Sequence, residues 1–167
     1  MPQMIDDRDA GEPFYTFKKI HEDFFSRLKT DERMVSEYRI DTWSMGRFDM
    51  RNLPVTGIHA RYQPLRISPL EETISFYAYR TEVIVWLLIN EMGVEIQYDL
   101  ATYYLARIME IFTDRPDDWS LNGIVTDVKF TDAGWAQDWN ERRNSMMLCS
   151  ITFAIYADIE RMHTQSS

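Results

Sequence analysis

The longest strand-like run of the chain, residues 73–90, alternates apolar side chains between two faces in its second half. Those residues divide into two sets: Thr81, Val83, Val85, Leu87 and Ile89 on one face, and Ile84, Trp86 and Leu88 on the other. The first half carries Tyr77, Tyr79 and Arg80, which suit either water or another chain. Both faces of the second half need cover, which leaves two interpretations open: the sheet continues into a neighbouring subunit, or helices of the same domain cover both faces.

Two amphipathic helices are predicted on either side of that strand. The first has Pro13 in its first turn and apolar positions spaced by three and four, namely Phe14, Phe17, His21, Phe24, Phe25 and Leu28. In it, His21 is interpreted as a residue at the edge of the core rather than a metal ligand. The second starts from Asp99 as N-cap and has the apolar face Leu100, Tyr104, Leu105, Ile108, Ile111 and Phe112. It is predicted to end near Asp114, because Pro116 disfavours helix at the residue before it.

Shorter strands are predicted around the long one. Residues 31–52 are charged with scattered aromatics and predict a mobile or partner-ordered segment with one short strand from Met34 to Ile40. Residues 53–62 predict a strand with Pro54 at its edge, and Pro64 and Pro69 predict a turn region after it.

A closing hairpin follows the second helix. Residues 123–134 alternate like a half-exposed strand, and residues 132–144 are polar and predict a long connection. The last strand has an apolar face made of Met147, Cys149, Ile151, Phe153 and Ile155. The expected fold is α+β: a mostly antiparallel sheet of about four strands with two helices packed on one face, a long hairpin and a flexible N-terminal arm. The expected division is an acidic arm at 1–12, one domain at 13–160 and a tail at 161–167.

The composition of the chain limits the classes of function that it can have. The chain has 167 residues, the size of one domain, and a formal charge of −9 that argues against a surface clamping nucleic acid. A single cysteine, Cys149, suits a reducing compartment and is expected to be buried. Neither a secretory signal nor an apolar run of membrane-spanning length occurs, so a soluble protein is expected. Aromatic residues make up 14% of the chain, more than one small sheet can bury, which favours protein contacts.

The usual sequence signatures of catalytic and metal sites are absent from the chain. The three histidines, His21, His59 and His163, have no spacing typical of a metal site, and the adjacent acids Asp117 and Asp118 fit a solvated loop. No catalytic residue, metal ligand or cofactor is therefore predicted. The candidate residues form a subunit or partner interface instead: Tyr77, Tyr79, Trp135, Trp139, Arg142 and Arg143.

The order of elements over about residues 13–160 resembles the tail terminator proteins of long-tailed bacteriophages, the lambda-like family that caps the tail tube. Residues 53–62 resemble the family's short strand, residues 73–90 followed by YDLATYYLARIMEIF its long strand and covering helix, and residues 125–158 its closing hairpin. The acidic arm and the length of segments 31–52 and 132–144 depart from the smaller family members.

The resemblance implies a structural virion protein of the tail or neck, assembled in the host cytoplasm, that forms a hexameric ring on the last ring of the tail tube. Its implied partners are copies of itself, the tail tube protein, a head-tail connector or stopper protein and, in a contractile tail, the sheath protein. DNA would pass through the lumen without specific binding, and no membrane is involved. Ring subunits make heterologous contacts, to which the aromatic hairpin tip at Trp135 and Trp139 is suited.

Two alternatives remain. Other neck and tail-completion proteins share the same build. A cytoplasmic small-molecule enzyme or binding domain is the other, with a pocket between sheet and helices lined by Trp86, Tyr103 and Tyr104.

Overall fold

Two helices, a π-helical turn and five strands make up the part of the chain that the computed structural model describes, residues 12–37, 39–72, 76–90, 93–113, 125–137 and 146–160. In chain order they are α1 (Glu12–Thr30), the π-helical turn (Arg33–Glu37), β1 (Thr42–Met45), β2 (Gly57–Glu72), β3 (Phe76–Asn90), α2 (Val94–Thr113), β4 (Val125–Gln137) and β5 (Met146–Glu160). The predicted arm lies outside the described residues except for Glu12, where α1 begins, and the predicted tail lies outside them altogether.

The strands form one sheet in the order β1-β2-β3-β5-β4. β1 runs parallel to β2, and the other three pairings are antiparallel. The predicted α+β class, with two helices on a mostly antiparallel sheet, is confirmed. The sheet has five strands where about four were predicted, because segment 31–52 contributes β1.

The helices cover one face of the sheet, called here the helix face. Residues of β3 and β5 with odd numbers point into it, as the predicted alternation requires, and their apolar side chains are buried: Val83, Val85, Leu87, Ile89, Met147, Cys149, Ile151, Phe153 and Ile155. The three aromatic rings of Phe24, Phe112 and Phe153 are stacked, with centroid distances of 5.0 Å and 4.1 Å. This stack ties α1, α2 and β5 together within the core of the helix face.

α1 forms as predicted, and α2 begins five residues earlier than its predicted N-cap. Asp99 is therefore inside α2, and the prediction that it caps the helix is wrong. The extra turn closes through a hydrogen bond from the backbone N–H of Gln97 to the carbonyl of Gly93, 2.9 Å long. The side chain of Gln97 is fully buried. Because this core position holds a polar residue, the apolar pattern did not predict the first turn of the helix.

An ion pair fixes the end of α1 against α2. The Arg107 guanidinium donates to both carboxylate oxygens of Asp31, the shortest distance being 2.6 Å, and a further bond reaches Glu110 at 2.9 Å. The Asp31 side chain is only 8% exposed. These hydrogen bonds, first of all those to Asp31, raise the pKa of Arg107 above its ordinary value.

The predicted strand from Met34 to Ile40 is wrong. That segment holds the π-helical turn, in which Met34 is buried against the core. The strand of this region is β1, which begins at Thr42, two residues after the predicted strand ends. β1 is attached to β2 partly through Asp41, whose carboxylate accepts a hydrogen bond from the N–H of Ile58 at 2.8 Å. Gly57, with φ of +82°, passes so close to that carboxylate that a Cβ would lie 2.5 Å from it. This contact depends on tertiary packing, so local propensity does not indicate it.

The predicted turn region at Pro64 and Pro69 is also wrong, since β2 continues through both prolines to Glu72. The register against β3 shifts after each of them, and Leu65 and Leu70 are the extra residues. β1 covers β2 only as far as Tyr62. Beyond that point β2 lies at the edge of the described sheet, where a proline loses no hydrogen bond to a further strand.

The long connection predicted at 132–144 is shorter than expected. β4 pairs with β5 as far as Gln137, so residues 132–137 belong to the strand. The polar and small residues here did not predict a strand. β4 is an edge strand of the described sheet that pairs with only one neighbour, so it needs fewer apolar side chains. The predicted hairpin of β4 and β5 is confirmed, and its tip lies outside the described residues.

Candidate assembly surfaces

The sheet face opposite the helices, called here the open face, is apolar at one end only. A small cluster there consists of Phe48, Leu53, Leu88 and Met146, with Trp86 and Leu148 packed against it. The indole N–H of Trp86 donates to the Gln63 side chain at 3.0 Å. Trp86 therefore lies on the open face, whereas Tyr104 belongs to the core of the helix face. The sheet separates them, and the structure does not bring the predicted small-molecule pocket together.

Charged residues occupy the other end of the open face. Arg66 and Arg80 both bind the carboxylate of Glu82, at 2.7 Å and 2.9 Å. On β4, the Lys129 ammonium lies 3.6 Å from Asp127. The ion pairs of Arg66 and Lys129 are exposed and contribute little to stability on their own. Their value is that they give this end of the face a fixed pattern of charge.

The outer half of β2 exposes three aliphatic side chains. Leu65, Ile67 and Leu70 are 44%, 49% and 54% exposed. Two of them are the extra residues that follow Pro64 and Pro69. Prolines and bulges protect a sheet edge against the addition of another strand. Apolar side chains on an edge blunted in this way favour contact through side chains rather than through a continued hydrogen-bond ladder.

A groove of about 360 Å³ lies between α1 and this part of β2. The residues that line it include Phe17, Lys18, Pro64, Leu65, Arg66 and Ile67, and this set is called here the β2 groove. At its base Nδ1 of His21 and the Tyr62 hydroxyl form a 2.9 Å hydrogen bond. Burial lowers the pKa of His21 to about 4 and, with the charge of Asp23, raises that of Tyr62. The predicted position of His21 at the edge of the core is confirmed, and its neutral imidazole leaves the groove floor uncharged at neutral pH.

β4 forms the opposite edge of the sheet and also has two register shifts. Its extra residues are Thr126 and Thr131, and their hydroxyls donate to the carbonyls of Tyr156 and Thr152 on β5, at 3.4 Å and 3.0 Å. Phe130 stands between them on the helix face and is 43% exposed, although its ring touches that of Phe153 at 6.3 Å. Side-chain hydrogen bonds thus hold the irregular strand while a phenyl ring protrudes from it.

A second exposed patch lies at the far end of β4. Trp135 is 49% exposed, and its ring contacts the exposed Tyr98 of α2 at 6.4 Å, edge to face. Ile96, two residues before Tyr98 in the same helix, is also exposed. Aromatic side chains of this kind supply much of the binding energy at the centre of protein interfaces.

The six predicted interface residues are spread over the molecule. Trp135 is exposed, as an interface residue should be. Tyr79 is half-buried, with its ring packed on that of Phe17 at 5.4 Å. Tyr77 lies on β3, paired with Glu72 of β2 and Ile159 of β5. The remaining three, Trp139, Arg142 and Arg143, lie outside the described residues.

The sequence pattern does not predict the exposure of several apolar residues. Leu65, Ile67 and Leu70 lay in a segment interpreted as a turn, and Phe130 was assigned to an ordinary half-exposed strand. The signal available for the first three was the alternation of Leu65 and Ile67 with polar residues between the two prolines, with Leu70 directly after the second. For Phe130 no local signal exists, since its exposure depends on where α2 ends relative to β4.

The described residues contain no group of three or more His, Cys, Asp or Glu side chains that could hold a metal ion. No helix within the described ranges is long and apolar enough to span a membrane. Cys149 is buried on the helix face, as predicted, and burial raises the pKa of its thiol to about 12.

No protein-family model matches the chain, and no curated protein matches its sequence. Among solved structures, the fold is similar to that of a chain in a structure described as the virion of a native gene transfer agent particle. The two share 12% sequence identity with a TM-score of 0.59, and the match covers 83% of this chain and 92% of that chain. At this identity the likeness shows a common α+β fold.

Proposed function

We propose that this protein is a structural component of a phage-like virion, which caps the tail tube as a ring, ends tube polymerisation and joins the tail to the neck. The observation that carries the proposal is the fold shared with a chain of a gene transfer agent virion over 83% of this protein. The resemblance of the element order to tail terminator proteins supports the same role. The proposed role does not involve a catalytic residue.

The exposed apolar surfaces support a protein that completes its packing against other chains. Trp135 with Tyr98, Leu65 with Ile67, and Phe130 are exposed at separate places on the domain. A chain that meets copies of itself in a ring and a tube below it needs several such surfaces, because each contact is heterologous. Within this proposal the interface includes Tyr77, Tyr79, Trp135, Trp139, Arg142 and Arg143.

The formal charge of −9 fits a ring through which DNA passes. Acidic subunits repel phosphate, so a lumen built from them does not hold the duplex. The proposed partners are six copies in the ring, the tail tube protein, a connector or stopper protein and, if the tail contracts, the sheath protein.

Electron microscopy tests the proposal directly. The purified protein is mixed with tail tubes polymerised from the tube protein of the same particle. The expected result is a ring of extra density on one end of each tube and an arrest of further tube growth. Binding to a connector ring without any arrest of tube growth would instead identify a neck protein of the same build. Failure to bind either assembly would remove the proposed role.

The Trp135 patch gives the experiment a matched pair of variants. Trp135→Ala removes the larger ring of the patch, and Val55→Ala removes an exposed aliphatic side chain in the segment before β2, three strands from β4. Removal of an interface aromatic typically weakens binding by about 10-fold or more. The first variant is expected to lose tube capping or ring formation while its melting temperature stays near that of the wild type. Equal capping by both variants would exclude the patch from the interface.

A further inference from the structure

The two edges of the sheet have complementary shapes. The β2 groove is a depression lined by Phe17, Leu65 and Ile67, and at the opposite edge the Phe130 ring protrudes from β4. A phenyl side chain is smaller than the groove, whose volume is about 360 Å³. Both features border the helix face, so apolar surface on one edge has an apolar counterpart on the other.

The topology makes these edges compatible in a head-to-tail arrangement. β2, β3, β5 and β4 alternate in direction, so β2 and β4 run in opposite directions. A second copy in the same orientation therefore places its β2 antiparallel to β4 of the first, with both helix faces on the same side. This is the relation between neighbours in a cyclic ring.

The register places the two features at the same level along the strands. Phe130 pairs with Phe153, which pairs with Val83, which pairs with Pro64 at the groove. Copies related by rotation about an axis along the strands would thus have Phe130 level with Pro64 of the next copy. Trp135, by contrast, is level with Ala60, which β1 already covers.

Charge on the open face supports the same contact. Beside the groove, two guanidiniums, those of Arg66 and Arg80, share the single carboxylate of Glu82. On β4, the exposed Asp127 and Asp132 flank one lysine, Lys129. The first set has one positive charge in excess and the second one negative charge in excess, so the edges attract each other.

We propose that the contact between neighbouring copies of this chain is formed by Phe130 of one copy seated in the β2 groove of the next. The proposal rests on the ring named above as the function, and adds which two surfaces meet. Pro64 and the bulged Leu65 keep the contact from becoming a hydrogen-bonded sheet, which would add strands without limit. Side-chain docking instead leaves a contact that the ring geometry can close.

Paired cysteines test the contact. One chain carries Phe130→Cys and a second, differently tagged chain carries Leu65→Cys, next to Pro64 in the groove; they are mixed under mild oxidation, both alone and with tail tubes. A disulfide needs Cα atoms within about 7 Å, so it reports a specific contact. Cys149 is buried and competes little. The expected product is a disulfide between the two tagged chains, with little product from either chain alone. The control partner is Val55→Cys, which is exposed elsewhere.

Other outcomes separate the contact from the function. Efficient cross-linking of Phe130→Cys chains to each other would mean a two-fold contact and overturn the proposal. No disulfide in the mixture, with or without tubes, would overturn it also, even if rings form on tube ends and the function stands. Rings that cross-link but do not bind tube ends would support the proposed contact and contradict the proposed function.

A charge variant provides a second test, in which the direction of the change in self-association is predicted. Lys129 is in the same row of the sheet as Arg66, through Ala154 and Glu82. Lys129→Glu would place a carboxylate, instead of an ammonium group, opposite the Arg66 guanidinium across the proposed contact. The expected result is self-association about 2- to 5-fold tighter at low salt, an exposed ion pair being of that size, and a loss of this gain at high salt. Association that is unchanged or weaker would count against the contact.

Discussion

The two faces of the sheet are built from the same strands and differ in what covers them. On the helix face, buried side chains from α1, α2 and four of the strands form one continuous core. On the open face the apolar cluster is confined to one end, where the segment before β2 contributes Phe48 and Leu53. The rest of that face is mostly charged or small, apart from Ile84 and Tyr156. The domain therefore depends mainly on one face for its stability and leaves much of the other face and the edges exposed.

The structure contradicts one of the two interpretations of the long strand, that helices of the same domain cover both of its faces. The other, that the sheet continues into a neighbouring subunit, stays a prediction. In the structure helices cover one face, and a short irregular segment covers part of the other. A few side chains from a loop suffice, because only the rows around Leu88 are strongly apolar.

The largest effect is expected from the aromatic stack of the helix face. Phe112→Ala would remove the central ring between Phe24 and Phe153 and lower the free energy of unfolding by about 3–5 kcal/mol. Urea unfolding followed by tryptophan fluorescence measures it. The matched control is Phe130→Ala at the exposed edge, expected to cost no more than about 1 kcal/mol. Equal losses would mean that the two regions do not differ as described.

The open-face cluster is expected to give an intermediate effect. Leu88 is fully buried among Phe48, Leu53 and Met146. Leu88→Ala should cost about 2–3 kcal/mol, at the lower end of the range for buried leucines, because the covering segment can partly collapse onto the smaller side chain. Chemical unfolding gives the value. A loss as large as that of Phe112→Ala would show that the open face is packed as tightly as the core.

The buried pair of His21 and Tyr62 predicts a dependence of stability on pH. The unfolded imidazole has a pKa of 6.5 and the folded one about 4, so between these values the unfolded chain binds more protons. The free energy of unfolding should therefore fall as pH drops from 6.5 towards 4. In His21→Gln this part of the fall, on the order of 2 kcal/mol, should vanish. Melting curves across the window measure it, and profiles of the same slope would contradict the prediction.

The smallest effect is expected at the charged end of the open face. The Arg66 side chain is 69% exposed although it binds Glu82 at 2.7 Å. Arg66→Ala should change the free energy of unfolding by about 0.5 kcal/mol, and less at high salt. By comparison, Arg107→Ala would leave the nearly buried carboxylate of Asp31 without its guanidinium and should cost more, about 2 kcal/mol. Thermal melts at low and high salt distinguish the two.

The hydrophobic periodicity of the chain was enough to predict α1, most of α2, the long strand and the closing hairpin. Each has a repeated apolar pattern, which any packing of the domain must bury. The same pattern identified the residues of β5 that face the core. Predictions failed where the decisive contact lies far along the chain: β1 forms because β2 offers it an edge, and Pro64 is tolerated within β2 because no described strand lies beyond it.

The candidate surfaces were harder to predict from the sequence than the fold. Surplus aromatic content indicated contacts with other proteins and made Trp135 a candidate interface residue. Its indole is exposed on β4, and its role at an interface stays a prediction. Exposure of Phe130, Leu65 and Ile67 could not be read from their neighbours, because it is set by the position of α1 and α2 over the sheet.

Local pattern alone determined the fold class, the core-facing side of each main strand, the burial of Cys149 and the lack of recognisable catalytic motifs, because those properties follow from side-chain periodicity and residue type. Tertiary packing determined the fifth strand, the separation of Trp86 from Tyr104, and the groove and protruding ring at opposite edges. Such features join residues distant in sequence, and no short window of the chain contains both partners.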